Sequence, residues 1–245
     1  MSTIDGIINL DKPTGLTSAK ALYRVRAITR MKKSGHTGTL DPGADGVLVL
    51  CVGKATKLVE RVMDLAKCYR ARARLDVTSE SFDSDRPHQP VSVARVPDLA
   101  EVSAALASFE GTIEQVPPAV SALKVGGVPA YKLTRQGKAP TLAARPVNIY
   151  WTHVHAYAWP EIDFEVAVGR GTYVRALIRD LGTRLGCGGC LTALTRTAVG
   201  PFQQRDAWSL ERMTTAPPEA FILPLAEALP LIEDQRGAIP PKPAA

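Results

Sequence analysis

An imidazole and a carboxylate five residues apart, His36 and Asp41, stand in a glycine-punctuated stretch from Gly35 to Lys57 that reads GHTGTLDPGADGVLVLCVGKATK. The glycines allow close backbone approach and unusual φ angles. Pro42 stiffens the chain directly after Asp41 and holds Asp41 itself extended. A carboxylate on a rigid bend at the mouth of a strand can serve as a nucleophile or as a base. The bland reading is that an Asp-Pro pair in a loop is only a turn. His36 and Asp41 could also ligate a metal in a hydrolase, but no third ligand is evident. A second pair, Cys187 and Cys190, has the C-x-x-C spacing of a redox couple or half a zinc site. No second close pair completes four ligands, and four cysteines in 245 residues do not make a disulfide framework. A reduced, cytoplasmic protein is expected. With no Walker loop or dinucleotide fingerprint either, no cofactor and no metal are expected.

Elements must position these groups. Ile4 to Leu10 reads as a strand and Asp11 to Gly15 as a turn. Thr17 or Ser18 can cap a helix with Leu22, Val25 and Ile28 on one stripe. Arg24, Arg26, Arg30, Lys32 and Lys33 make this segment basic as it runs into the Asp41 loop. Val47 to Val52 reads as a buried strand ended by Gly53. Tyr69 to Leu75 alternates, with Tyr69, Ala71, Ala73 and Leu75 on one face and Arg70, Arg72 and Arg74 on the other. Tyr69 on the apolar side would ordinarily be core packing. Thr78 to Arg86 reads as a polar loop. Asp98 and Glu101 form a capping box for the next helix. Gln115 to Lys138 sets Lys124, Lys132, Arg135 and Lys138 around Tyr131, a mixture suited to RNA or to an ordinary basic surface loop. Ile162, Phe164, Val166 and Val168 alternate as a strand. Thr172 is the expected cap of a helix with Val174, Leu177, Ile178, Leu181 and Leu185 on its core stripe, closed by Gly186. Arg175 in its first turn opposes the helix dipole, so a compensating anion is expected, and Asp41 is the carboxylate we pair with it.

The central stretch closely resembles the motif G-H-x-G-T-L-D-P-x-A-x-G-V-L followed by G-x-A-T-K of the TruB-type tRNA pseudouridine synthases, with every fixed position filled. D-K-P-x-G-x-T-S from Asp11, C-Y-R at Tyr69, Q-V-P-P from Gln115, A-R-x-V-x-I from Ala144, G-T-Y-x-R-x-L-I-x-D-L-G from Gly171 and L-x-x-L-x-R from Leu191 are similar to further motifs of that family, in its order. The resemblance implies that Asp41 is the catalytic aspartate, that Tyr69 faces the target base and that Arg175 pairs with Asp41. It adds His36, Tyr173 and Leu194 around the substrate, and Lys12, Arg70, Lys124, Lys132 and Arg196 toward the RNA. Departures are Val120 for an aromatic, Val168 and Gly169 for Cys-Ser, Cys190 for histidine and Thr195 for arginine. They touch the edge of the RNA surface and leave the catalytic set intact.

Hydrophobic residues at 45% and charged residues at 22% are ordinary for a globular protein, and a formal charge of +6 favours an anionic partner. No signal peptide is read in MSTIDGIINLDKP, and no apolar run approaches a membrane span of roughly 20 residues. The expected fold is α+β, a pseudouridine synthase fold with a mixed, mostly antiparallel sheet flanked by helices and loops. Residues 1–212 are expected as the catalytic domain and 213–245 as a short, partly disordered tail. Seven of nineteen prolines lie beyond Ala216, and no full C-terminal PUA module is expected. A monomer is expected, and the resemblance implies that it isomerises uridine 55 in the T arm of tRNA, after extruding the base, and could also help tRNA fold. An idle RNA-binding protein or a metal-dependent hydrolase are the rival readings.

Overall fold

The computed structural model describes residues 4–121, 123–138 and 140–243. Outside the described residues lie 1–3, Ala139, Ala122 of the motif that opens with Gln115, and the last two residues of the expected tail. The chain forms two compact units, residues 4–69 with 194–241 and residues 70–193 with 242–243.

In the first unit, strand β1 (Gly6–Lys12) starts and ends two residues later than expected, because Lys12 still pairs with Gly46 across an antiparallel ladder. Helix α1 (Ser18–Thr29) is capped by Thr17, whose hydroxyl accepts from the Lys20 N–H at 3.1 Å. Strand β2 (Ser34–His36) runs into the start of the glycine-punctuated stretch expected as a loop and pairs with the second half of β3 (Asp45–Val52). Its glycine hides it from propensity; only the partner strand makes it a strand. Helix α2 (Val59–Asp64) then leads into β4 (Lys67–Arg74), which carries the chain into the second unit.

There β4 shows the expected alternation: Ala71 and Ala73 are buried, and arginines face out. The short pair β5 (Val77–Thr78) and β6 (Gln89–Pro90) follows, then α3 (Leu99–Ala107) with its Asp98–Glu101 capping box formed. After β7 (Gly111–Gln115), the segment expected as a basic loop is a hairpin, β8 (Lys124–Val125) with β9 (Val128–Pro129), and a short helix α4 (Ala130–Arg135). Strands β10 (Arg145–Ala158) and β11 (Glu161–Val168) complete a sheet ordered β4-β11-β10-β7. Helix α5 (Val174–Leu185) buries Leu177, Ile178 and Leu181. Its N-cap is Tyr173 rather than the expected Thr172. The Thr172 hydroxyl instead donates to the Gly169 carbonyl at 3.2 Å.

Beyond α5, Cys187 and Cys190 are free thiols, both pushed up by burial, Cys187 to about 11. Among the described residues no cluster of His, Cys, Asp and Glu is placed to hold a metal. The glycines between the cysteines have the clearer role. A side chain on Gly189 would start 2.2 Å from the Ile178 carbonyl oxygen, so this close approach of the loop to α5 requires glycine.

Strand β12 (Cys190–Val199) returns the chain to the first unit, followed by β13 (Phe202–Gln203), β14 (Trp208–Ser209), α6 (Leu210–Thr215), β15 (Leu223–Pro224) and α7 (Leu225–Asp234). The strand order is β14-β1-β3-β12, with β1–β14 and β3–β12 parallel and β1–β3 antiparallel. Alternate residues of β1 and β3 feed two cores. Ile7, Val47 and Val49 pack with Val62, Ala228 and Ile232; Ile8, Leu48 and Leu50 pack with Leu22, Val25, Met213 and Phe221. A strand covered on both faces reads as an unbroken apolar run, which is the Val47–Val52 pattern. Residues 213–234, expected as part of a tail, supply side chains to both cores.

Candidate active site

The loop between β2 and β3 is fastened on each side of Asp41. Just before it, the Ser18 hydroxyl donates to the Leu40 carbonyl at 2.9 Å and accepts from the Leu40 N–H at 2.8 Å. Just after it, the Gly15 N–H donates to the Pro42 carbonyl at 2.7 Å. The Asp41 carbonyl accepts from the Ala44 N–H at 3.1 Å, closing a turn into β3. Thr37 is tied by its N–H and its hydroxyl to the Val49 carbonyl. The opening motif from Asp11 to Ser18 is thus the clamp that holds the Asp41 loop, and Asp41 is left half-buried between two fixed neighbours. Ser18 entered the sequence reading only as a possible helix cap; its place in the motif was the available signal.

Two cations expected to face RNA lie inside the protein instead. Lys12 is fully buried and donates to the carbonyls of Pro13 at 2.9 Å and Leu16 at 2.7 Å. Burial brings its pKa down to about 8; Asp45 and Asp41 favour the charged form, and Arg196 opposes it. Arg196, 3% exposed, donates from Nε to the Val47 carbonyl at 2.6 Å and from Nη2 to the Gly38 carbonyl at 3.4 Å. It bridges β3 and the loop before it, while Lys12 holds the turn between β1 and α1, so both cations are engaged with backbone carbonyls. The crossing is tight. Gly46 sits at φ 95°, and a side chain there would begin 2.3 Å from the Arg196 carbonyl oxygen. His36 is half-buried, with Nδ1 lacking a hydrogen-bond partner among the described residues. Burial, with Arg196 adding to it, lowers its pKa, so the ring is neutral at pH 7.

Tyr69, 9% exposed, ends the first chain segment of this unit, and Leu194, half-buried, begins the second. Tyr173 and Arg175 belong to the second unit. Arg175 is 4% exposed, with Nη1 donating to the Ser81 carbonyl at 3.2 Å, which gives the Thr78–Arg86 loop a part the sequence did not reveal. Gln115 grips Tyr173 by both backbone groups, Oε1 accepting from its N–H at 2.8 Å and Nε2 donating to its carbonyl at 3.2 Å. The Arg145 guanidinium lies 5.3 Å from the Tyr173 ring centroid, a cation–π contact. Neither Gln115 nor Arg145 is among the expected site residues, though Gln115 opens one recognisable motif and Arg145 stands second in another.

Lys124 and Lys132 are exposed, as an RNA contact requires. Arg70 is not so placed. It forms a two-pronged ion pair with Asp163, which Arg72 joins at 3.3 Å, while Arg74 pairs with Asp76. Burial alone would raise the Asp163 pKa, but the two guanidiniums outweigh it and hold the carboxylate below its usual range. Successive strand residues also point to opposite faces. Arg70 therefore cannot share a face with Tyr69.

Solved structures share this architecture. The chain superposes on a chain of a Cbf5-Nop10-Gar1 complex with a TM-score of 0.66 and 31% identity, over 84% of this chain and 52% of that one. It superposes on a chain of an archaeal box H/ACA Nop10-Cbf5 complex with a TM-score of 0.63 and 28% identity, again spanning about half of its length (52%). Residues 26–174 match the model for the TruB family pseudouridylate synthase N-terminal domain, and residues 175–229 that for the tRNA pseudouridylate synthase B C-terminal domain. A tRNA pseudouridine synthase B of Xanthomonas campestris pv. campestris is 42% identical over 92% of this chain and 75% of its own length. One from Clostridium kluyveri is 39% identical over 95% and 82%. The chain belongs to the TruB family of pseudouridylate synthases, which are isomerases.

Proposed function

We propose that this chain isomerises uridine 55 in the T arm of tRNA, with Asp41 as the carboxylate that reaches the ribose of the extruded nucleotide. In the reaction the C1′–N1 bond breaks, the uracil turns, a C1′–C5 bond forms, the C5 hydrogen leaves and N1 takes up a proton. Atoms and oxidation state are conserved, so acid–base or covalent catalysis by a single ionised carboxylate suffices. The observation that carries the reading is the fastening of Leu40 and Pro42. It fixes the backbone on both sides of Asp41, as placing a reactive group against one ribose requires.

In this reading Arg175 is the counterion that keeps Asp41 ionised when the RNA excludes water. Tyr69 stacks on the uracil, Tyr173 and Leu194 wall the pocket, and the neutral His36 hydrogen-bonds the opened RNA loop. Unstacking the base costs a few kcal/mol, which the aromatic contact offsets. Lys124 and Lys132 meet the phosphates.

Tritium release from full-length tRNA labelled at uridine C5 tests this. Wild type should release tritium without any added cofactor. Asp41→Asn should lower the rate by at least about 10³-fold, with tRNA affinity kept within a few-fold. Equal rates from the two proteins would take Asp41 out of the chemistry.

A further inference from the structure

From Lys12 to Leu40 the chain carries seven lysines and arginines and no acidic residue. Two of them are committed to partners within the protein: the buried Lys12, and the half-buried Arg26, which donates to the Ser34 hydroxyl at 2.8 Å and the Ser34 carbonyl at 2.7 Å. The other five, Lys20, Arg24, Arg30, Lys32 and Lys33, are all exposed. None of the five forms an ion pair among the described residues, whereas Arg61, Arg70, Arg74 and Arg95 each have a carboxylate partner. In α1, Ala21, Leu22 and Val25 face the core, so helical periodicity sets Lys20, Tyr23 and Arg24 on the outer face. Tyr23 is 67% exposed, with the Arg26 guanidinium 5.4 Å from its ring centroid. Lys20 and Arg30 stand roughly 15 Å apart along the helix. An aromatic ring held in water by a cation, within a row of uncompensated positive charge, adds only the small stabilisation of an exposed cation–π contact to the free protein. It suits a polyanion that also offers surfaces for a ring to pack on.

We propose that the outer face of α1 binds the sugar–phosphate backbone of a helical stem of the substrate RNA, with Lys20, Arg24 and Arg30 on phosphates and the Tyr23 ring against a ribose. A-form stems present phosphates and 2′-hydroxyls, not readable base edges, so this contact adds affinity and register without sequence preference. The proposal rests on the reading of the chain as an RNA-modifying enzyme and extends it away from the reacting nucleotide. Because Arg26 ties Tyr23 to Ser34, the stem contact is linked directly to β2, the strand that leads to the Asp41 loop.

Fluorescence anisotropy with labelled full-length tRNA across a salt series, on the whole chain, tests the assignment. Lys20→Ala/Arg24→Ala/Arg30→Ala should weaken binding at least about tenfold and flatten the log K against log salt slope by about 2 to 3. Tyr23→Ala should weaken binding several-fold, with Tyr23→Phe restoring it. In tritium release, the triple variant should raise KM while the rate at saturating tRNA stays within about twofold. A triple variant with wild-type circular dichroism, wild-type affinity and an unchanged slope would overturn the assignment and leave Asp41 untouched. If wild type bound tRNA but released no tritium, and the triple variant bound it less, the reaction would fall and the stem surface would stand.

Discussion

Ser18 shows how a single hydroxyl can matter to chemistry it never touches. It gives and takes a hydrogen bond at Leu40, the residue before Asp41, and is almost wholly buried. Ser18→Ala leaves the Leu40 N–H and carbonyl without that partner in a place water does not reach, at a cost of about 1–3 kcal/mol. The loss falls on the loop, since Ser18 caps nothing: the cap of α1 is Thr17. The expected outcome is a lower urea midpoint together with a fall of about 10- to 100-fold in the tritium-release rate at saturating tRNA, because a small displacement of a reacting group is expensive. Affinity for tRNA should hold. A rate equal to wild type would mean that the Gly15–Pro42 bond alone positions Asp41.

At the scale of elements, most of the architecture was legible where one local signal governed. The α3 capping box, the α5 stripe and the β4 alternation each follow from side-chain spacing that the structure keeps. Signals that depended on a distant partner were not legible. Strand β2 exists only through its ladder to β3, and Arg196 turns inward because the carbonyls of Val47 and Gly38, from another segment, await it. Spacing also misdirects at Cys187-Gly-Gly-Cys190, where the cysteines draw the eye and the glycine does the packing. Gly189→Ala would drive a methyl group into the Ile178 carbonyl of α5, backbone against backbone, so relief requires the helix or loop to move. We expect a loss of at least about 3 kcal/mol by urea denaturation. Cys187→Ser, at a half-buried thiol, should stay within about 1 kcal/mol. The reverse ranking would return the cysteines to the centre of the argument.

At the scale of the whole molecule, the formal charge of +6 is unevenly spent: the β4 arginines are matched by Asp163 and Asp76, while the α1 face is unmatched. The chain's course is equally uneven. The unit that holds Asp41 is assembled from both ends of the sequence, 4–69 and 194–241. Met213, Phe221 and Ile222 complete the core on the α1 side of β1 and β3, and Ile232 completes the other. Full burial of each such side chain contributes about 1.5–3 kcal/mol, so these four amount to about 6–12 kcal/mol, against a whole-domain stability of about 5–15 kcal/mol. A chain ending at Ala207 should therefore lose cooperative unfolding of the first unit and all tritium release, although every residue proposed for catalysis is retained. Circular dichroism during urea titration of the 1–207 protein measures this directly. A truncated chain that unfolded cooperatively and kept its activity would show that β1 and β3 hold the Asp41 loop without the C-terminal helices.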